Sequence, residues 1–371
     1  MSLARAVKGA VFGSVAGLER TLRPGSRSTD LSTVQNFLLL QYPLALGTAV
    51  HATPLIPALR EAVPGCRIAV AASGLALEVF RNNPGVDYLL ATPSPLKDFR
   101  GAIRSLRAQI PFGGESFAAL MTRGNERTLV STAAFLSGAA IRIGFTEVPQ
   151  LYQTALTFDP ERSLIDNNLR IVEALGHPFR HCEPQMFPGA ADEAWADQTL
   201  RSSGVREGQM VAVFVTQTSV TQRKSWRAER FQATANFLIA EYGAHILFVG
   251  TAAEAQAIET LRLGVANPAA TTSVAGGTTL LQLAALLGRC RVGLTLDTGP
   301  LHIGRTVKLP MVIVAPAWSP VIEWLPVGDA RYRILKNADM PDCPPDYIID
   351  EVSVDEVKAE LSSLIKAYPQ T

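Results

Sequence analysis

The chain has 371 residues, 47% of them hydrophobic and 18% charged, with a formal net charge of +1. This length accommodates two globular domains, each with its own core. The near-neutral charge excludes a general nucleic-acid binder, which needs a broad basic field. The four cysteines lie far apart without a Cys-x-x-Cys pair, which fits a reducing compartment and excludes a disulfide framework or a zinc site. The sequence contains no uninterrupted run of about 18 apolar residues, so it predicts no membrane-spanning helix.

The N-terminal residues predict a basic amphipathic helix. Apolar residues recur at three- and four-residue steps between Leu3 and Leu22, and five basic residues accompany the single acid Glu19 within residues 1–28. A helix of this kind can lie in an anionic membrane surface, and the alternative is a helix that packs on the protein body. We therefore treat residues 1–30 as a separate extension and expect membrane-surface contact through residues 1–28.

Short apolar runs separated by helical periodicity predict two series of buried strands, and one long helix is expected at residues 49–63. Strands that alternate with helices form mostly parallel sheets covered on both faces. The sequence therefore predicts an α/β protein with two Rossmann-like domains that face a central crevice. The first series comprises residues 36–40, 67–71, 86–90, 117–121 and 141–143, and the second comprises residues 211–215, 245–249, 272–274, 292–296 and 311–315.

A linker separates the two series. Residues 176–208 contain several prolines and glycines and end in an acidic, alanine-rich helical stretch, so we place the domains at residues 31–180 and 181–351. Neither half carries a Gly-x-Gly-x-x-Gly motif after its first strand, which argues against an NAD-dependent dehydrogenase. The sequence also lacks a Walker loop and an Asp-x-Asp pair that would hold a divalent metal across a diphosphate.

The turn Asp297-Thr298-Gly299-Pro300 joins a predicted strand to a short predicted helix that contains His302. Asp297 or Thr298 can cap this helix, and Gly299-Pro300 suits its first turn. A helix that begins at the carboxyl end of a buried parallel strand presents backbone N–H groups and a positive dipole end, which favour a phosphate. The alternative is that Asp297 only caps the helix and that His302 is a half-buried side chain with no part in binding.

Two groups of basic residues occur in the first half. Arg123 and Arg127 follow a predicted strand end, and guanidinium groups suit carboxylates and phosphates. We expect these two to receive an anionic acceptor, with a solvated surface as the alternative. The other group forms a basic helix face and consists of Lys97, Arg100, Arg104 and Arg107. We favour a solvated surface as the interpretation of this face.

Four sequence blocks stand close to predicted strand ends. They are Leu46-Gly47-Thr48-Ala49-Val50-His51-Ala52-Thr53-Pro54, Lys224-Ser225-Trp226, Gly250-Thr251-Ala252-Ala253-Glu254 and Asp297-Thr298-Gly299-Pro300-Leu301-His302. In this order they resemble the motifs of glycosyltransferase family 9, the heptosyltransferase-like enzymes of bacterial surface polysaccharide assembly. The resemblance implies a GT-B fold, with the acceptor on the N-terminal domain and the sugar nucleotide on the C-terminal domain. It also implies that the final helix, residues 352–368, packs back on the N-terminal domain.

The resemblance further implies an inverting transfer that needs no metal and no cofactor. The donor would be a nucleotide-diphosphate sugar, of which ADP-heptose is the best known in the family. The acceptor would be a hydroxyl of a lipid-linked glycan or of the lipopolysaccharide core. The expected location is the cytoplasm, with peripheral contact at the inner face of the inner membrane, and no nucleic-acid partner is expected.

The residues of these blocks acquire roles from the resemblance. Lys224 would place a positive charge on the diphosphate and so stabilise the leaving group, and N–H groups around Thr298 and Gly299 would add the helix dipole. The remaining implied donor contacts are Asp297 with the sugar, His302 with a phosphate oxygen, Glu254 with the ribose, and Thr216 and Thr218 after a strand. The expected acceptor contacts are Gly47, Arg123 and Arg127.

One position departs from the family pattern. The family has an aspartate, the presumed base, where this chain has Thr48, and a threonine hydroxyl is no general base near neutral pH. Three alternatives stay open: His51 serves as the base, because imidazole titrates near neutral pH; the acceptor hydroxyl needs only donor activation by Lys224; or the chain binds a nucleotide sugar without transferring it, as a partner in glycan assembly. A remoter alternative is a sugar-nucleotide epimerase.

Overall fold

The structure, a computed structural model, describes residues 3–22, 34–217, 224–341, 343–344 and 347–369. The chain divides into two compact units, Met1–Pro184 and Gln185–Thr371. The division falls inside residues 176–208, the predicted linker. Within the described ranges, no helix is long and apolar enough to cross a membrane.

The first unit is built on a six-stranded sheet in which every paired strand is parallel. The spatial order is β3-β2-β1-β4-β5-β6, so the chain reverses its direction of travel across the sheet between β1 and β4. The strands are β1 (Asn36–Gln41), β2 (Arg67–Ala72), β3 (Tyr88–Ala91), β4 (Ala118–Met121), β5 (Ile141–Phe145) and β6 (Thr154–Leu156).

Helices cover this first sheet. The expected single helix at residues 49–63 is wrong, because the chain forms two short helices on either side of a turn. Pro54 has no N–H group, and the Val50 carbonyl accepts instead from the amide and the hydroxyl of Thr53, at 3.1 and 2.8 Å. The helices of the first unit are α1 (Leu3–Leu22), α2 (Leu46–Val50), α3 (Leu55–Ala62), α4 (Leu75–Phe80), α5 (Phe99–Gln109), α6 (Thr128–Leu136) and α7 (Leu164–Ala174).

Helix α1 packs on the body of the first unit. Ala16 is buried in the core of this unit, and Phe12 packs against it. Both carboxylate oxygens of Glu19 accept hydrogen bonds from the Arg142 guanidinium at 2.8 Å, and these side chains are only 4% and 0% exposed. The helix is therefore fixed by a buried ion pair as well as by apolar contact.

The second unit repeats the arrangement of the first. Its sheet is also fully parallel, and its order, β12-β11-β10-β7-β8-β9, reverses between β7 and β10. The central strands carry continuous apolar runs because both of their faces are covered. The strands are β7 (Val211–Val215), β8 (His245–Val249), β9 (Thr271–Ser273), β10 (Val292–Leu296), β11 (Met311–Val314) and β12 (Tyr332–Leu335).

The last helix belongs to the core of the second unit through its buried residues Val357, Leu361 and Leu364. Its expected packing on the N-terminal domain stays a prediction. Its apolar stripe fits the surface formed by β10, β11 and a neighbouring helix. The helices of this unit are α8 (Ala190–Ser202), α9 (Ala228–Tyr242), α10 (Ala255–Leu263), α11 (Leu280–Leu287), α12 (Gly299–Thr306), α13 (Val321–Trp324) and α14 (Val354–Ala367).

The segment before α14 is bound to the segment that carries Lys224. The Ile349 amide donates to the Ser225 carbonyl at 2.9 Å. The Trp226 indole donates to the Val352 carbonyl at 3.0 Å, across 126 residues of sequence. Trp226 is itself buried in the core, where its ring meets Phe231 edge-on.

Candidate donor and acceptor sites

In the second unit, two predicted site residues leave the sheet side by side. Val215 of β7 pairs with Thr295 of β10, so Thr216 and Asp297 emerge at the same edge, where the strand order reverses. In open parallel sheets, ligands bind outside the carboxyl ends of the strands at such a point.

A buried ion pair stands at this edge. The Lys224 ammonium lies 2.6 Å from a carboxylate oxygen of Asp297, and the two side chains are 12% and 6% exposed. The ammonium also lies 5.5 Å from the ring centroid of Trp318. Because an ammonium has three donors, Lys224 can hold Asp297 and still bind an anionic group of a ligand.

Helix α12 begins beside this pair without a side-chain cap. Thr298 is the N-cap residue, but its side chain makes no capping hydrogen bond, and the Asp297 carboxylate binds Lys224. The expectation that Asp297 or Thr298 caps the helix with its side chain is therefore wrong. The buried Thr298 hydroxyl finds no hydrogen-bond partner within the described part of the chain. The first turn, which opens at Gly299, thus presents N–H groups to an anion.

His302 lies in the same helix and is buried. Burial lowers the pKa of His302 to about 3, with smaller lowering contributions from Arg305 and Lys224 and an opposing contribution from Asp297. The imidazole is therefore neutral at neutral pH. Its ring centroid is 6.0 Å from that of Trp324. The neutral His302 ring can donate or accept a hydrogen bond with a ligand, but it adds no positive charge to the site.

The other predicted donor contacts differ in their surroundings. Thr216 is buried, and its hydroxyl has no hydrogen-bond partner among the residues that the structure describes. Glu254 lies in the turn after β8, where one carboxylate oxygen accepts from the Thr251 amide at 2.7 Å. Thr218 lies outside the described residues.

In the first unit, a polar network occupies the corresponding edge between β1 and β4. The Gln41 amide donates to the Thr122 hydroxyl at 2.8 Å, and the Asn125 amide donates to the same hydroxyl at 3.1 Å. The Asn125 side-chain oxygen accepts from the Tyr42 amide at 2.6 Å. Hydroxyls and amides dominate here, whereas charges dominate at the edge of the second unit.

Thr48 and His51 lie close to this network. A Cβ added at Gly124 would lie 2.2 Å from the Thr48 methyl group, so the loop after β4 packs directly on Thr48. Gly47 and Thr48 are both buried in α2. His51 ends this helix and is 1% exposed, and its carbonyl accepts from the Asn168 amide at 3.1 Å.

The loop after β4 contributes two arginines and one acid. The Arg123 guanidinium pairs with Glu126 and stacks 5.1 Å from the Phe158 ring centroid. Glu126, whose side chain is 22% exposed, also accepts from the Gly124 amide. Arg127 has no ion pair within the described ranges, and one of its buried guanidinium nitrogens has no hydrogen-bond partner there.

Glu126 is not among the site residues predicted from the sequence. A usable signal was present, because Glu126 is the one acid between Arg123 and Arg127. A carboxylate between two cations after a strand is a candidate for proton transfer as well as for ion pairing. Among the described residues, no three His, Cys, Asp or Glu side chains are grouped so that they could hold a metal ion.

Comparison with known proteins assigns the chain to a family. The model of glycosyltransferase family 9 (heptosyltransferase) matches residues 127–334, more than half of the chain, whereas no curated protein sequence matches. A glycosyl transferase family 9 structure from Veillonella parvula DSM 2008 has a TM-score of 0.80 at 18% identity, covering 91% of this chain and 99% of that one.

Two Escherichia coli structures are also similar. ADP-heptose lps heptosyltransferase II has a TM-score of 0.74 at 17% identity, covering 89% of this chain and 98% of its own. Heptosyltransferase WaaC with ADP has a TM-score of 0.64 at 14% identity, covering 90% and 99%. These likenesses confirm the predicted α/β GT-B fold with its two Rossmann-like sheets. By the family match, the chain belongs to glycosyltransferase family 9 and is a glycosyltransferase.

Proposed function

We propose that this chain transfers a sugar, with inversion, from a nucleotide-diphosphate sugar to a hydroxyl of a lipid-linked glycan or of the lipopolysaccharide core. The Lys224–Asp297 pair beside the uncapped start of α12 carries this proposal. The departing diphosphate gains negative charge in the transition state. A preorganised ammonium and aligned N–H groups stabilise such charge in a site that excludes water.

The proposed reaction is a single displacement. The acceptor oxygen attacks the anomeric carbon opposite the leaving group, the bond from that carbon to the diphosphate oxygen breaks, and its electron pair goes to the diphosphate. The acceptor proton goes to a base, and the configuration inverts. Lys224 and the first turn of α12 would supply the positive charge, so the step needs no metal ion.

The neighbouring residues would position the donor. Neutral His302 would donate to a phosphate oxygen. The hydroxyls of Thr216 and Thr298, which have no hydrogen-bond partner in the part of the chain that the structure describes, would bind polar groups of the donor. Asp297 would orient Lys224 and contact the sugar, and Glu254 would accept from the ribose. One similar structure holds ADP, and another bears the name of an ADP-heptose enzyme, so ADP-heptose is the donor to test first.

Two side chains of the first unit compete for the role of base. His51 is the candidate from sequence, but its imidazole is almost fully buried. The Glu126 carboxylate is partly exposed and lies in the loop that packs on Thr48. A base must reach the proton that it removes. The geometry therefore favours Glu126 as the base, with Arg123 and Arg127 binding an anionic acceptor beside Gly47.

We also propose a peripheral location at the inner face of the inner membrane, reached from the cytoplasm. The acceptor class is anchored in lipid. Helix α1 keeps Val11 and Leu18 55% and 61% exposed although its other face is packed. These two apolar side chains are the proposed membrane contact within the described part of α1.

The first experiment measures ADP binding by calorimetry and then follows ADP-heptose consumption with lipopolysaccharide-core acceptors. We expect micromolar to millimolar binding and acceptor-dependent release of ADP. Absence of binding by ADP and by other nucleoside diphosphates would falsify the proposed donor site. Binding without consumption by any acceptor would favour the nucleotide-sugar-binding alternative.

The second experiment identifies the base with Glu126→Gln and His51→Gln. Removal of a general base costs about 10²- to 10⁴-fold in turnover, and we expect this loss for Glu126→Gln with ADP affinity unchanged. His51→Gln should retain turnover within a few fold. The reverse result would assign the base to His51, and full turnover in both variants would leave donor activation by Lys224 as the explanation.

A further inference from the structure

An open groove of about 650 Å³ lies on the first unit between α5 and the end of α6. Its apolar lining comes from Phe99, Ile103 and Leu136, and three arginines, Arg100, Arg104 and Arg107, also line it. No residue of this groove takes part in the proposed transfer reaction. The groove thus combines an apolar floor with a cationic edge.

The cationic edge is not neutralised by nearby acids. Helix α5 contains no acidic residue, and the Asp98 carboxylate before it accepts from the Gly101 amide at 2.8 Å as the helix cap. Arg107 donates to the Leu136 carbonyl at 2.8 Å, which fixes one side of the groove. Arg100 and Arg104 are exposed and, within the described ranges, pair with no carboxylate.

The helix periodicity places these groups in two parallel rows. Phe99, Ile103 and Arg107 follow one another at four-residue steps, and Arg100 and Arg104 form the adjacent row. Phe99 and Ile103 also pack in part against the core of the first unit, and the faces that they leave open line the groove beside the exposed arginines. A phosphate that carries hydrocarbon chains matches both rows at once, since arginine binds phosphate with two parallel hydrogen bonds.

Helices α1, α5 and α6 belong to one layer. Ala16, Leu106 and Val130, one from each helix, are buried in the same core cluster. Leu129 of α6 is exposed, as is Leu18 of α1. Exposed apolar groups therefore also occur outside the groove, on α1 and on α6, in the layer that contains it.

We propose that this groove binds an anionic phospholipid of a bilayer. The lipid phosphate lies between Arg100 and Arg104, and an acyl chain lies on Phe99, Ile103 and Leu136. The site is independent of the donor site and of the contact proposed for α1. It gives the first unit a second attachment to the membrane through a headgroup, not only through an apolar helix edge.

The test is co-sedimentation of the full chain with vesicles of phosphatidylcholine alone or mixed with phosphatidylglycerol. We expect binding only to the mixed vesicles. Arg100→Gln with Arg104→Gln should weaken it about 30-fold, which corresponds to about 1 kcal/mol for each arginine near an anionic surface. Ala108→Glu, which places a carboxylate in the groove at an exposed helical position, should also weaken it, whereas Ala108→Gln should not.

The matched control is Arg201→Gln with Arg206→Gln, which removes the same charge from two exposed positions of the second unit. Equal weakening by the two double variants would overturn the proposal, because net charge would then explain the binding. Unchanged binding of Arg100→Gln with Arg104→Gln would overturn it as well. Binding of inorganic phosphate to the groove, together with no binding of the chain to either kind of vesicle, would also overturn the proposal. ADP binding, measured on each variant, separates these outcomes from failure of the donor site.

Discussion

The two units have the same sheet order and the same reversal point, yet they differ in what stands there. At the edge of the second unit, the Lys224–Asp297 ion pair stands beside the start of α12, and two hydroxyls, those of Thr216 and Thr298, find no hydrogen-bond partner among the described residues. At the edge of the first unit, Gln41 and Asn125 both donate to the Thr122 hydroxyl, and only the Gln41 side-chain oxygen lacks a partner in this network within the described ranges. The fold thus determines where a ligand site lies, and the polar groups that the protein leaves unsatisfied determine which ligand fits.

The largest expected effect concerns the attachment of α1 to the first unit. Glu19→Gln leaves the buried Arg142 without its counter-ion, and breaking such a pair costs about 3–5 kcal/mol. Chemical denaturation should show this loss, and hydrogen exchange should locate it in the first unit. Glu360→Gln is the control, because it breaks the Arg333–Glu360 pair, which is about one-third exposed, at a cost of about 0–1 kcal/mol. Similar losses in both variants would contradict a structural role for the buried pair.

Lys224→Gln tests the contribution of the positive charge at the sheet edge of the second unit. Removal of one preorganised group that stabilises transition-state charge costs about 10²- to 10³-fold in turnover, or about 2.7–4 kcal/mol. ADP affinity should fall as well, whereas Thr122→Val in the first unit should leave it unchanged. Lys366→Gln, at an exposed position of α14, controls for net charge. Normal turnover in Lys224→Gln would remove Lys224 from the mechanism.

His302 of the second unit and His181 of the first unit should change the pH dependence of folding stability in opposite directions. His302, which faces Asp297, Lys224 and Arg305, has a pKa lowered from 6.5 to about 3 by burial. Below pH 6.5 the His302 imidazole binds a proton in the unfolded chain but stays unprotonated in the folded chain. Stability therefore falls between pH 6.5 and 3, by up to about 1.4 kcal/mol per pH unit. Denaturation of His302→Gln at several pH values should give a flatter profile, and an unchanged slope would contradict the lowered pKa.

His181 should give a smaller effect in the opposite direction. Its ring lies 2.7 Å from Asp166 and 3.1 Å from Glu183, and hydrogen bonds to these carboxylates raise its pKa to about 9. Its stabilisation is present below pH 6.5 and is lost as the pH rises through 9. Because the side chain is 45% exposed, solvent screening limits the effect to about 1 kcal/mol. Comparison of His181→Gln with the wild type at pH 6 and pH 10 measures it.

The central strands could be predicted from the sequence because their physical cause is local. Residues 211–215 are apolar throughout, residues 292–296 are apolar except for Gly293 and Thr295, and both segments are strands with those bounds. The edge strands Thr154–Leu156 and Tyr332–Leu335 were not predicted, since they are short and partly exposed and carry no such run. The final helix was predicted, but its apolar stripe does not say which of two sheets it covers.

The residues of the candidate donor site were chosen by motif, whereas their geometry could not be predicted. Lys224 and Asp297 are 73 residues apart in sequence, and nothing local indicates that they pair or that α12 consequently begins without a side-chain cap. Thr48 was recognised as a departure from the family pattern. Its contact with the loop of Gly124, which brings Glu126 into consideration, depends on how β1 and β4 lie together in the sheet.

The bonds from Ser225 and Trp226 to Ile349 and Val352 have a consequence for synthesis on the ribosome. The segment that carries Lys224 is completed by residues translated more than a hundred positions later. Contacts of such long range form late. We expect a nascent chain that ends before Ile349 to lack a fixed Lys224, so that nucleotide affinity arises only when the last helix has left the exit tunnel.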